Sequence, residues 1–261
     1  MNAIISALHF EWSSIEECFD RTANELGLDG VELSLHESYE RPHCTRPDLA
    51  AVPTLKHKYG ITPFAHIWDD LARLGPEAGA ECLLEWLAVC SAAAIEGLVI
   101  HGGSCPDQRE GIERTARILQ QVTPRFERDG VALNLENHYA WDYQGCHELF
   151  SEPWEFLELF RSVNSPALRF CFDTGHGNMT RNSSALLREL APWLGYVHLA
   201  GNHGVHDDHC GYKEGTVDWD GIFTILQEIG YDGTFCVEFP VRENTAPFER
   251  CMRDIRRRWS G

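Results

Sequence analysis

The chain of 261 residues is short of positive charge: 22 Lys and Arg stand against 40 Asp and Glu, a formal net charge of −18. A surface this acidic is repelled by phosphate backbones and anionic lipid, which counts against nucleic acid and membrane surfaces as partners. The chain also lacks any apolar run near the roughly 18 residues that span a bilayer. Its first stretch, MNAIISALHFEW, has no basic segment leading to a small-residue cleavage site, so no signal peptide is read there. Ten cysteines are present, but without a C-x-x-C pair or regular spacing. Several, such as Cys171 and Cys236, sit in short apolar runs where a reduced cysteine behaves as a small hydrophobe. These features predict a cytoplasmic protein with reduced, structural thiols. No glycine-rich turn follows the first apolar run, which leads instead into His9-Phe10-Glu11-Trp12. That argues against a dinucleotide-binding, doubly wound sheet.

What is present is an alternation. Short apolar runs at Ala3–Leu8, Val31–Leu35, Ile61–His66, Leu98–His101, Val131–Glu136, Leu168–Asp173, Tyr196–Leu199 and Thr234–Glu238 read as strands. Amphipathic stretches lie between them: Ile15, Cys18, Phe19, Thr22 and Leu26 share one helical face, as do Leu83, Leu84, Leu87 and Cys90. Ile112, Ala116, Leu119 and Phe126 repeat the pattern, and so do Ile222, Ile225, Leu226 and Ile229. Ser151 and Asp218 read as helix caps. Eight strands alternating with helices over a chain of this length predict an α/β fold, a (β/α)8 barrel occupying residues 1–261 as a single domain.

Strand parity sharpens this. Val131, Leu133 and Leu135 oppose Ala132, Asn134 and Glu136; Leu168, Phe170 and Phe172 oppose Arg169, Cys171 and Asp173. Phe235 and Val237 oppose Thr234, Cys236 and Glu238. If the bulky sets pack on the helices, Glu136, Asp173 and Glu238 face the barrel mouth. By the same parity Arg169 and Glu32 face inward lower down, where an ion pair between them is expected.

Catalytic groups in this architecture sit at the C-terminal ends of the strands. Those ends carry His66, His101, Glu136, Asp173 followed by His176, His198, and Glu238, with Asp207 and His209 in the loop beyond His198. One histidine at a strand end is usually structural and one acid is usually a cap. Six consecutive ends of this kind would crowd several negative charges around one cavity and destabilise the fold. A divalent cation removes that cost, and a mixed oxygen and nitrogen donor set suits Mn, Mg, Co, Zn or Fe.

The set Glu136, Asp173, His198 and Glu238, with D-T-x-H at Asp173–His176 and E-N-H at Glu136–His138, resembles the xylose isomerase-like barrel superfamily. That group includes sugar phosphate isomerases and epimerases, inosose and dehydroshikimate dehydratases, and nucleases of the endonuclease IV type. The resemblance implies one divalent metal held by Glu136, Asp173, His198 and Glu238. It also implies that Glu136 and Glu238 act as the acid/base pair on a small sugar or polyol carbonyl compound, through a metal-stabilised enediolate. His176 is then expected to contact a substrate oxygen.

A second branch competes. His66, His101, Asp207 and His209 added to the others match the ligand order of the endonuclease IV type, where several metals serve phosphodiester hydrolysis. The net charge of −18 counts against a nucleic-acid substrate. The one dense basic cluster, Arg253, Arg256, Arg257 and Arg258, reads as a solvated helix end. His66, His101, His176, Asp207 and His209 are therefore expected to bind substrate, or an additional metal. A dehydratase acting by the same proton abstraction is a further alternative, and a non-catalytic sugar-binding barrel is the rival outside enzymes. The segment Asn202-His203-Gly204 stands where many epimerases carry a substrate-binding arginine, so phosphate recognition is not evident. Phe10, Trp12, Trp68, Trp141 and Tyr143 follow strand ends and are candidates to stack on a sugar or to pack loops. The resemblance leaves room for a homo-oligomer.

Overall fold

A computed structural model describes residues 1–35, 44–242 and 244–259 and shows eight parallel strands closed into a barrel. The strands are Asn2–Ser6, Gly30–Ser34, Thr62–His66, Gly97–Ile100, Ala132–Glu136, Leu168–Asp173, Leu194–Leu199 and Thr234–Val237. Each pairs with its neighbours in chain order, and the ring closes where Ala3 meets Phe235 and Ile5 meets Val237. The first strand is shorter than the sequence suggests, because Ala7–His9 tighten into a 3-10 turn.

The helices begin and end where local chemistry dictates. Thr45 and Asp48 form a reciprocal capping box at the start of Arg46–Tyr59. Asp107 caps Gln108–Asp129 through Glu110 N, and Asp218 caps Trp219–Glu228 through Gly221 N. Gly60 and Gly130 end their helices at φ 67° and 72°, a left-handed conformation that favours glycine. Glu152, not Ser151, occupies the cap position of Pro153–Val163. The Ser151 N–H instead donates to Glu155 Oε2 at 2.7 Å, because the longer Glu155 side chain folds back over the first turn.

Parity separates two apolar compartments. Leu133, Leu135, Phe170, Phe172, Phe235 and Val237 are buried among the helices. Ile4, Phe64, Val99, Cys171, Tyr196 and Cys236 form a distinct cluster on the inward face of the strands. All ten cysteines are free thiols. Among the described residues no helix is long and apolar enough to cross a membrane. The arginine cluster near the C-terminus lies on helix Ala246–Trp259, where Arg257 pairs with Asp254 at 2.9 Å and Arg258 with Asp220 at 2.7 Å.

Over the C-terminal side of the barrel, Ser104–Cys105, Cys146–Glu148 and Asp142–Tyr143 make a small three-stranded sheet. It belongs to the loops that follow the fourth and fifth barrel strands.

Candidate metal centre

The same parity that buries Ile4 and Cys236 carries a second set of side chains one step higher. His66, Glu136 and Asp173 are the last residues of their strands, and His198 is the last but one of its own. His101 and Glu238 stand one residue beyond theirs. Asp173 also caps the short helix Thr174–Thr180: its Oδ1 accepts from His176 N at 2.6 Å, which turns Oδ2 toward the cluster. The buried Asn137 amide braces Asp173, with Oδ1 accepting from Asp173 N at 2.7 Å and Nδ2 donating to Asp173 O at 3.2 Å.

Glu136, Asp173, His198 and Glu238 each offer a donor atom within 4.8 Å of the other three, and all four are buried. His198 Nδ1 lies 3.2 Å from Glu136 Oε2 and 3.2 Å from Glu238 Oε2. Glu136 Oε2 is also 3.3 Å from His66 Nε2 and 3.4 Å from His101 Nε2. Two donors that each sit about 2.1 Å from a divalent ion stand roughly 3.0 Å apart at an octahedral angle and about 3.4 Å apart at a tetrahedral one. The observed spacings fall in that interval.

The hydrogen-bond inventory points the same way. Glu136 Oε2, Asp173 Oδ2 and His198 Nδ1 are buried and have no hydrogen-bond partner among the described residues. Buried polar atoms are nearly always satisfied, so three orphans converging on one point call for a further group. A divalent cation fits this donor set. His66, His101 and Glu136 form a second donor trio that shares Glu136 with the first group.

The remaining predicted residues form a rim. The His176 ring lies with Nδ1 2.8 Å from Asn137 O and Nε2 3.5 Å from Asp207 Oδ2. His209 Nε2 is 3.1 Å from the same Asp207 oxygen, and its Nδ1 is 2.6 Å from Glu238 O. His209 holds this position at φ 46°, a strained backbone setting of the kind found at functional sites. The loop is fixed by paired hydrogen bonds between Gly201 and Cys210 and by Asn202 Nδ2 donating to Gly175 O at 2.8 Å. His66, His101, Glu136, His176, Asp207, His209 and Glu238 thus border one cavity of about 280 Å³, while Asp173 and His198 are buried beside Glu136 and Glu238 and do not line it.

Burial and charge split the two glutamates. Burial pushes Glu136 up, but the His198 and His101 rings reverse this and hold it well below the usual carboxylate range. Burial raises Glu238 to about 8, with the Glu136 carboxylate adding to the rise and His198 opposing it. Burial likewise raises Asp173. For His209 burial opposes the charged form, yet the Asp207 carboxylate outweighs it and lifts the ring to about 9. A bound cation would lower the carboxylates together.

The candidate aromatics divide. Phe10 is buried, and Trp12 is half-buried with Nε1 donating to Ala7 O at 2.9 Å, so both pack loops. Trp68 borders the cavity and stacks on His66 with ring centres 4.3 Å apart. Trp141 and Tyr143 are exposed beside each other on the small sheet.

One expectation fails. Arg169 does not pair with Glu32: it sits at the outer end of its strand beside Asn134 and is exposed. Glu32 is fully buried a layer higher, where Tyr196 Oη donates to its Oε2 at 2.9 Å and His198 Nε2 lies 2.9 Å from the same oxygen. Glu32 therefore belongs to the centre. The signal was its inward parity between Val31 and Leu33; what sequence lacked was the height of each strand in the ring. His138, at 4.7 Å ring distance from His176, also borders the cavity, and its loop position gave no parity to read.

Comparison with known proteins agrees with this architecture. A family model described as xylose isomerase-like TIM barrel matches residues 21–257. An uncharacterized protein of Methanocaldococcus jannaschii is 26% identical over 251 residues, covering 90% of this chain and 82% of its own. The ketose 3-epimerase of Arthrobacter globiformis is 24% identical over 247 residues, covering 88% of this chain and 79% of its own. A crystal structure of a D-tagatose 3-epimerase-like protein superimposes with a TM-score of 0.81 at 20% identity, covering 100% of this chain and 97% of the other.

Proposed function

The chain belongs to the xylose isomerase-like TIM barrel family, and from that premise we propose that it is a divalent-metal-dependent isomerase or epimerase of a small sugar or related polyol carbonyl compound. The observation that carries this reading is the buried quartet Glu136, Asp173, His198 and Glu238, whose donor atoms lie within 4.8 Å of one another and include the unpartnered Glu136 Oε2, Asp173 Oδ2 and His198 Nδ1. These four residues would hold the ion. When bound, such a cation holds the carbonyl and neighbouring hydroxyl oxygens of a substrate, acidifies the intervening C–H and stabilises the charge that develops.

The chain's own groups do the rest. Glu136 and Glu238 face the same cavity from the fifth and eighth strands, and their environments push their proton affinities in opposite directions. Two carboxyls facing one cavity from different strands can divide acid and base roles, one taking the proton from carbon and the other serving the opposite face or the neighbouring oxygen. His176 and His209 stand at the rim within reach of substrate hydroxyls, and the Trp68 ring closes one wall against water. Ten free thiols fit a reducing compartment, in keeping with a cytoplasmic enzyme.

The test is hydrogen exchange. Metal-loaded protein incubated with ketopentoses and ketohexoses in deuterated water is expected to place deuterium on the carbon next to the carbonyl. Glu136→Gln is expected to lose that exchange while keeping the fold; unchanged exchange in the variant removes Glu136 as the base. Loss of water from the substrate, in place of its stereoisomer, redirects the reading to a dehydratase.

A second reading rests on a specific feature, the trio His66, His101 and Glu136 that shares a carboxylate with the first group. It is a multinuclear hydrolase of phosphate esters. Metal content separates the two: one ion per chain supports isomerisation. Two or three ions, with hydrolysis of bis(p-nitrophenyl) phosphate, support the alternative.

A further inference from the structure

We propose that Glu32 is a positioning residue that fixes the tautomers of His198, a ligand in the proposed site, and of its neighbour His66 at once, and so sets which nitrogen each turns toward the donor cluster. The inference rests on the metal-centre reading above but concerns a residue outside the proposed ligand set.

The geometry is specific. Glu32 is 1% exposed on the second strand and lies beneath the donor cluster. Its two oxygens serve different rings. Oε2 is 2.9 Å from His198 Nε2, and Oε1 is 3.5 Å from His66 Nδ1. In each ring the opposite nitrogen makes the closer contacts with the donor cluster, although His66 Nδ1 also lies 3.9 Å from Glu238 Oε1. His198 Nδ1 points to Glu136 and Glu238, whereas His66 Nε2 points to Glu136 and His101. Glu32 Oε1 and His66 Nδ1 are both buried and without a hydrogen-bond partner among the described residues, and they face each other at 3.5 Å, a contact that a small shift of either side chain would close to a hydrogen bond.

An ionised carboxylate can only accept, so each ring must present N–H to it. His198 is then held as the Nε2–H form with its lone pair on Nδ1. His66 is held as the Nδ1–H form with its lone pair on Nε2. A single acid thus explains why two neighbouring histidines offer opposite nitrogens to one centre. Tyr196 Oη donates to Oε2 from the apolar layer below and keeps the carboxylate from rotating. Partners of this type behind ligating histidines typically change metal affinity about 10- to 100-fold when removed.

Gln at this position cannot do the same work. Its amide has one acceptor and one donor end, so one ring must surrender its proton or lose its partner. Glu32→Gln is therefore expected to weaken zinc affinity about 10- to 100-fold in chelator competition. Its melting temperature without metal is expected to fall, because Tyr196, His198 and His66 lose the charged acceptor they share, so zinc affinity is compared on folded protein below that transition. Histidine nitrogen NMR of the zinc-loaded, unaltered protein is expected to place protons on His198 Nε2 and His66 Nδ1. That measurement needs no variant, so it stands even if Glu32→Gln folds poorly. A proton on the other nitrogen of either ring overturns the proposal, and so does unchanged zinc affinity in a folded Glu32→Gln. Failure of the unaltered protein to take up zinc, cobalt or manganese at all instead overturns the metal-centre reading on which it rests.

Discussion

Two layers of side chains fill the interior of the same eight strands, and they obey opposite rules. The lower layer, Ile4, Phe64, Val99, Cys171, Tyr196 and Cys236, is apolar apart from one hydroxyl, and that hydroxyl is paired. The upper layer, with Glu136, Asp173, His198 and Glu238, is buried to the same degree but contains charge-bearing groups and unpartnered atoms. Strand parity places both layers alike, so geometry alone does not distinguish them. The difference lies in what completes each one. The lower layer is complete within the chain, while the upper layer leaves donor atoms that the proposed cation would satisfy. Stability and function thus occupy adjacent steps of one barrel, joined by Tyr196 and Glu32.

Substitutions that exchange the behaviour of the layers would break this comparison. The largest effect is expected from Glu136→Gln. Losing a general base costs about 10²- to 10⁴-fold in turnover, measured as deuterium exchange into a sugar substrate. Its melting temperature without metal should fall modestly, because His198 and His101 lose the carboxylate they hold in its charged form. A large loss of stability with retained exchange would show that Glu136 belongs to the scaffold.

Phe64→Ala is the converse. A phenylalanine truncated in a packed core costs about 3–5 kcal/mol, which in a chain of this size lowers the melting temperature by roughly 6–20 °C. Metal content per folded molecule should hold. Removing the metal by dialysis against chelator comes next. A ligand present at about a hundred times its dissociation constant contributes about 2.7 kcal/mol, so calorimetry should show a lower melting temperature that rises again with added ion. If it does not, the upper layer is complete without a cation and the comparison fails.

The smallest effect is expected from Tyr196→Phe, which cuts the link between layers. It should cost about 1.5 kcal/mol, the low end for a hydrogen bond to a charged group, because the His198 ring still lies against the same oxygen. Denaturant titration would measure it, and a loss as large as that of Phe64→Ala would mean the layers are not separable.

Much of this was readable in one dimension. Alternation of apolar runs with helical faces gave the barrel, because each strand must bury one face on helices and the other inside. The inward parity of Glu136, Asp173 and Glu238 could be read because bulky residues alternate with them on unbroken runs. What escaped was vertical placement. Arg169 and Glu32 share an inward parity, yet the stagger of the ring sets Arg169 at the open lower end and Glu32 under the donors. Stagger is fixed by pairing between strands, which no single strand records. Ser151 failed as a cap for a local reason: Glu155 reaches back farther than a serine hydroxyl can. His138 lies on a loop, where neither period applies.

The ring closure between the first and eighth strands has a consequence for the history of each molecule. Glu32 and His198 touch across 166 positions of sequence, and Glu238 comes from the final strand run. Contacts this distant form only after large loops have closed, so they belong to the slow end of folding. A chain emerging during synthesis carries His66 and Glu136 long before it carries Glu238, and until then the donors have no common centre. At the proposed site, capture of an ion would therefore be a late event that marks a finished barrel, and a chain cut short before the eighth strand would be left with scattered donors and no common site.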